Sequence, residues 1–304
     1  MSDTPKDMDS QDWGLLMVLA FLWGGAYFFA GVAVRELPPL TVVLARVALA
    51  TATLLPLLWI MGHRLPRTRR EWLPFAGMGL LNNVLPFGFI FSGQLFITVG
   101  MSSIINAMTP LFAVMVMAAF REERLTVLRL IGVLLGLAGV AILRGFDGPV
   151  GGPETIGILL CMAGAVSYGF AALWGRRRLS AVAPLKSACC QLVASTAIMS
   201  VVVAVIDQPW TLPMPSAHTL GAVAGLAIFG TAVAYLVFFK ILVRAGASNA
   251  MLVTLLIPVT AIALGNIFLD EPVFAQEIIG ALAIGLGLAF IDGRPVRWIQ
   301  RQAR

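Results

Sequence analysis

Ten apolar runs follow one another along the chain, near residues 13–33, 39–61, 72–93, 98–120, 125–143, 154–175, 185–206, 216–240, 248–269 and 273–292. Most approach the roughly 20 residues that a helix needs to cross the hydrocarbon of a bilayer. The connections are short and leave no room for a second, water-soluble domain. In lipid every backbone N–H and C=O needs an internal partner, which a helix supplies within its own segment. Nothing alternates at period two for long enough to build a barrel. Only 12% of the 304 residues are charged, against about 25% in a soluble domain. The expectation is therefore an all-α membrane protein with ten transmembrane helices.

The loop charges orient the chain. With the N-terminus in the cytoplasm, 18 of the 21 Lys and Arg residues lie on that side, from Lys6 through the Arg64 to Arg70 and Arg176 to Arg178 clusters to the tail after Arg294. Only Arg35 and Arg144 fall outside, and Arg46 lies within a helix. This bias places both termini in the cytoplasm of a cell inner (plasma) membrane. The pI near 9.8 thus reflects topology rather than nucleic-acid binding. Residues 1–12 are a polar tail, and the run after them is too long for a signal-peptide core, so it reads as a retained helix. Cys161, Cys189 and Cys190 have no metal-ligand spacing and read as apolar filler.

An internal repeat is visible. At an offset of 148 residues Pro110 falls on Pro258, Phe120 on Phe268, Glu123 on Glu271, Gly132 on Gly280, Leu134 on Leu282 and Gly139 on Gly287. Earlier helices match at an offset of 145, with Gly24 on Gly169, Leu40 on Leu185 and Arg46 on Gln191. Five helices per half is an odd number, so the second copy enters the membrane upside down. The expected organisation is a first repeat over 13–144, a second over 145–293 and a basic cytoplasmic tail over 294–304, with a central cavity between the inverted halves.

These segments resemble the EamA family of the drug/metabolite transporter superfamily. The resemblance is carried by SIINAMTPLF, REERLT and GVLLGLAGVAIL within 103–143, by IPVTAIALGNIFLDEP and IIGALAIGLGLAFI in the second copy, and by WGGAYFF in the first helix. It implies small-solute transport, often export, through a basket of helices. The cavity would be lined mainly by helices 1, 3, 4, 6, 8 and 9, with 5 and 10 at the periphery. The amino-acid exporters are the nearest in character; drug-like or nucleoside and sugar solutes are the alternative, and a non-transporting scaffold a more distant one.

The residues themselves point the same way. Broken helices in inverted repeats mark midplane binding sites. Pro110 and Pro258 each remove a backbone donor and free a carbonyl one turn earlier; they read either as plain kinks or as paired gating elements. Asn106, one turn before Pro110, is placed to bond a freed carbonyl or a solute. In the third run Asn83, Phe87 and Phe91 follow at i, i+4 and i+8, so Asn83 is favoured over Asn82 as lining. Trp23, Tyr27, Tyr168 and Tyr235 offer apolar bodies with polar tips to an amphipathic solute. Arg46 is the one charge well inside a helix. It reads as an anchor whose head snorkels outward from seven residues after Pro39, or as a contact for a solute carboxylate.

No acid or His lies at membrane depth, which favours facilitated diffusion or exchange over tight proton coupling. There is no GxxxxGK[ST] loop for ATP, and no HExxH, CxxC pair or nucleophile elbow. Neither an enzyme, a metal site nor a cofactor is expected. The expected partners are a small-molecule solute and the lipid bilayer.

Overall fold

The computed structural model describes residues 8–145 and 151–292. Lys6, the tail over 294–304 with its arginines, and residues 146–150 lie outside the described residues. Within them eight helices are long and apolar enough to cross a membrane. They are α1 (Ser10–Ala33), α2 (Pro39–Ile60), α3 (Arg69–Gly93), α4 (Val99–Ala119), α5 (Val127–Arg144), α6 (Pro153–Arg178), α7 (Pro184–Ile206) and α8 (Ala217–Ala245). Two shorter apolar helices, α9 (Val253–Leu269) and α10 (Ala275–Asp292), occupy the last two runs.

The helix starts follow local chemistry. Asp9, Thr68, Thr98, Thr126 and Ser216 each cap a helix by accepting from the N–H three residues on, which satisfies one of the donors orphaned at a helix start. Pro39, Pro153 and Pro184 open α2, α6 and α7, the position where a missing N–H is harmless. Large apolar side chains such as Phe21, Leu134, Val201 and Leu282 are exposed on the outside of the bundle, as lipid contact requires.

In the packing, α1 lies against α9 and α8, α6 against α4 and α3, α2 against α7, and α5 against α10. Glycine permits the closest approaches. A Cβ on Gly132 would lie 2.5 Å from the Gly287 carbonyl oxygen, and one on Gly139 would lie 2.8 Å from that of Gly280. On α1, Gly24 leaves room for the Thr260 hydroxyl of α9, which donates to the Ala20 carbonyl at 2.9 Å.

Three helices carry interruptions, and the chain turns just before a fourth. α3 widens into a π-turn over Leu80–Val84 and α8 into another over Ile228–Val233. Their first residues, Leu80 and Ile228, are 148 apart, the repeat offset. In a π-turn the carbonyl of Leu81 would pair with the N–H of residue 86, but Pro86 has none, and the Ser167 hydroxyl of α6 donates to that carbonyl at 2.8 Å. In α8 the Thr231 hydroxyl donates to the Leu226 carbonyl at 3.1 Å.

The other two discontinuities differ from each other. α4 breaks at residues 107–108 and restarts at Thr109, with Pro110 in its first turn. The chain before α9 turns at Met251 and Leu252, one helical turn earlier in repeat register, and Pro258 sits inside a continuous α9. The two prolines therefore hold different backbone positions, and the discontinuities that match between the copies are the π-turns.

Candidate functional site

A cavity of about 640 Å³ lies among the helices. Trp23 and Tyr27 reach it from α1, Phe87 from α3, Asn106 and Pro110 from α4, Tyr168 from α6 and Tyr235 from α8. The chain contains three tyrosines, and all of them line this space. Helices α2 and α7 also contribute, through Arg46 and Gln191, whereas among the described residues none of α5 or α10 reaches the wall. The lining runs on to exposed Ser180 and Met251 in the α6–α7 and α8–α9 connections, so the mouth is at that end of the bundle.

Two sequence expectations are corrected. Asn83 is fully buried outside the cavity, where its amide donates to Ser195 Oγ of α7 at 2.9 Å. Asn82 lines the cavity instead and donates to Gln191 Oε1 at 3.3 Å. The π-turn is the reason: in that register residues i and i+5 share a face, and Asn82, not Asn83, is five before Phe87. Arg46 does not snorkel. Its side chain is turned into the cavity and is 93% buried, with Nε donating to Thr231 Oγ1 at 2.9 Å and Nη2 reaching the Gly230 carbonyl at 3.4 Å. The guanidinium carbon lies 3.7 Å from the centroid of the Phe87 ring.

An arginine at the centre of a membrane helix costs about 2.5–3.5 kcal/mol on insertion scales. A charged hydrogen bond contributes about 1.5–3 kcal/mol and a desolvated cation–π contact about 2 kcal/mol. Thr231 and Phe87 are thus sufficient to hold the cation in place. Among the described residues no carboxylate pairs with it, and it is the one charged group in the cavity wall.

Pro110 lines the cavity; Pro258 is buried in α9 away from it. The carbonyl that Pro110 leaves free is that of Asn106, and the Thr109 hydroxyl donates to it at 2.7 Å. The Asn106 amide is therefore not needed for that repair. Sequence reasoning passed over Gln191 and Asn82. The signal for Gln191 was its match to Arg46 in the repeat.

At the end opposite the mouth, four carboxylates join elements from different halves of the chain, one of them Glu277, which accepts from Thr98 Oγ1 at 3.1 Å. Asp207 accepts from Thr41 N at 2.9 Å and Thr41 Oγ1 at 2.7 Å in the first turn of α2. Glu36 accepts from Ser216 N and Oγ, both at 2.7 Å, at the start of α8. Glu271 accepts from Val99 N at 2.9 Å at the start of α4. Each sets an anion against a helix N-terminus. The mouth end carries ion pairs instead: Arg244 to Asp12 at 2.8 Å, and Arg176 to Glu123 at 3.1 Å.

A lipid-facing helical bundle around an amphipathic cavity, sealed at one end and open at the other, defines a multi-pass membrane transporter. The chain belongs to the EamA-like transporter family, whose model matches residues 13–145 and 155–292. It is 26% identical over 285 residues to an "Uncharacterized transporter" of Archaeoglobus fulgidus, covering 92% of this chain and 98% of that one. It is 28% identical to the "Uncharacterized inner membrane transporter YedA" of Escherichia coli K12, over 83% of this chain and 81% of the relative. It is 24% identical to a "Probable amino-acid metabolite efflux pump" of the same organism, over 96% and 97%. A solved crystal structure at 20% identity superposes with a TM-score of 0.63 over 93% of this chain and 97% of the other, a likeness of fold.

Proposed function

We propose that the protein exports small amphipathic metabolites, amino acids and their derivatives foremost, across the cell inner membrane by alternating access. The observation that carries this reading is the cavity itself: aromatic walls, a few amides and one cation, reached from one end only. The likeness to a probable amino-acid metabolite efflux pump supports the solute class and the direction.

The reading includes ten membrane spans in two inverted five-helix repeats, bounded at 13–144 and 145–293. Reciprocal contacts support it. Gly132 meets Gly287 and Gly139 meets Gly280, although Gly132 matches Gly280 and Gly139 matches Gly287 in sequence. Likewise Gly24 meets Thr260 while its counterpart Gly169 meets Phe112, the counterpart of Thr260. Such exchange of partners is what a two-fold relation between the halves demands. The basic loops support cytoplasmic termini, and the mouth then faces the cytoplasm. We assign the hinges of the rocking motion to the matched π-turns, with Asn82, Asn106 and the three tyrosines as solute contacts and Pro110 shaping the wall.

The test is counterflow in liposomes holding the purified protein, with a panel of amino acids and related metabolites, with and without a pH gradient. Saturable exchange of at least one panel member is expected, and Tyr168→Ala should reduce it at unchanged protein level. Liposomes that exchange none of the panel would refute the assignment.

A further inference from the structure

Among the described residues the cavity wall has one full charge and nothing of opposite sign to meet it. Arg46 is 93% buried, and its guanidinium is held from one side by Thr231 and from its face by Phe87. Nε is used by Thr231 and Nη2 makes one long contact with the Gly230 carbonyl, while Nη1 has no hydrogen-bond partner among the described residues. The Nη1–Nη2 edge therefore keeps donors in the fork geometry that matches a carboxylate. Everything else in the wall is apolar, aromatic, hydroxyl or amide among the described residues. A buried cation of this kind gains most from an anion that arrives with the solute, because the low dielectric strengthens the pair.

The same wall offers an ammonium group no carboxylate among the described residues, only aromatic faces and neutral hydroxyl and amide oxygens. A zwitterionic amino acid could place its carboxylate on Arg46, but its ammonium would then lie near that cation with no carboxylate in the wall to receive it. We infer that the cavity selects monoanions with an apolar or aromatic body, such as deaminated or N-acylated amino-acid derivatives, over zwitterionic amino acids. Arg46 takes the carboxylate and the aromatic wall takes the body. This inference rests on the reading of the cavity as the solute site and narrows it.

Three probes that share one aromatic body isolate the charge. Phenylalanine carries both groups, 3-phenylpropionate lacks the ammonium, and phenethylamine lacks the carboxylate. Binding to the purified full-length protein is followed by calorimetry at neutral pH. The expected order has 3-phenylpropionate at least tenfold tighter than phenylalanine, with phenethylamine weakest. R46M should abolish that preference and R46K should keep it at reduced affinity; R46K and the wild-type order guard against a variant that merely fails to fold. Equal affinity for phenylalanine and 3-phenylpropionate, an anion preference that survives in R46M, or no binding of any of the three would overturn the inference. These outcomes differ from failure of the transport reading, which is loss of counterflow for the whole panel. Liposomes that exchange zwitterions without regard to Arg46 would leave transport standing and remove only the anion selectivity.

Discussion

Glu271 is the most informative lever on the sealed end. It lies between α9 and α10 and takes the N–H of Val99 at the start of α4 at 2.9 Å, thereby tying the second half of the chain to the first. Glu271→Ala removes that acceptor. Loss of a side-chain cap typically costs about 1 kcal/mol, which is about a fivefold change in a two-state ratio. Glu271→Gln is a different perturbation, since it keeps an acceptor and removes the charge. Burial pushes the Glu271 carboxyl up from the usual carboxylate range, outweighing the N–H groups of Val99 and Gly100 and the charge of Arg35, which pull it down. Opening the seal returns the group to water and to an ordinary value of about 4.3. The sealed state thus binds the proton more tightly, so its protonation-linked stabilisation is complete below the ordinary value and is lost as pH rises through the raised one. Accordingly, Gln should hold the seal at least as well as Glu does at neutral pH, and with less pH dependence, the neighbouring Glu277 carboxyl on Thr98 being left in place. The assay is maleimide labelling from the sealed side of Ala107→Cys in the cavity wall, on a background without Cys161, Cys189 and Cys190. Labelling should rise about fivefold in Glu271→Ala, stay level or fall in Glu271→Gln, and fall more steeply on mild acidification when Glu271 is present than when it is Gln. Equal opening by Ala and Gln would show that the charge itself is the latch and refute the burial argument; no change in Ala would remove this contact from the gate.

Two further outcomes follow from the packing. Asn83→Ala, which removes the bond to Ser195 Oγ while Ser195 keeps the Gln191 and Gly79 carbonyls, should destabilise the protein by about 0.5–1.5 kcal/mol with little effect on solute affinity, whereas Asn82→Ala should weaken affinity with little change in melting temperature; binding and thermal-unfolding measurements on both variants separate the roles. Gly139→Ala forces a Cβ to within 2.8 Å of the Gly280 carbonyl oxygen, and overpacking of this kind costs about 1–3 kcal/mol. Its melting temperature should drop while counterflow per folded molecule is unchanged, because no described residue of α5 lines the cavity.

Much of the architecture was legible because lipid leaves few choices. An apolar run near 20 residues long has to be a helix, and repeat partners such as Gly132 and Gly280 survive as identical letters. The aromatic lining was legible too, since all three tyrosines lie far from loops. What could not be read was angular register inside a helix. The spacing of Asn83, Phe87 and Phe91 fits an ideal α-helix, but the π-turn over Leu80–Val84 moves Asn82 onto the cavity face and Asn83 off it. Nothing in LLNNV announces that wider turn on its own; Pro86 and the distant Ser167 hydroxyl, 86 residues away from the carbonyl it satisfies, make it tenable. The direction of Arg46 was hidden for the same reason. Its distance from the helix start suggested an outward path, while the partner that holds it, Thr231, is 185 residues further along the chain.

The repeat explains why these two misreadings belong together. Thr231 occupies the place in α8 that Asn83 occupies in α3, and Arg46 occupies the place in α2 that Gln191 occupies in α7. Both helix pairs meet at the π-turns, and in both a buried polar side chain on the turn bonds its partner helix: Thr231 to Arg46, and Asn83 to Ser195 beside Gln191. The scaffold of the contact is therefore common to the two halves, while its charge is not. A neutral amide at one of two matched positions and a guanidinium at the other leave the π-turn contact in both halves and give the cavity wall a single positive pole. On the function proposed above, a shared framework keeps its hinges and acquires a solute preference by changing one residue in one repeat.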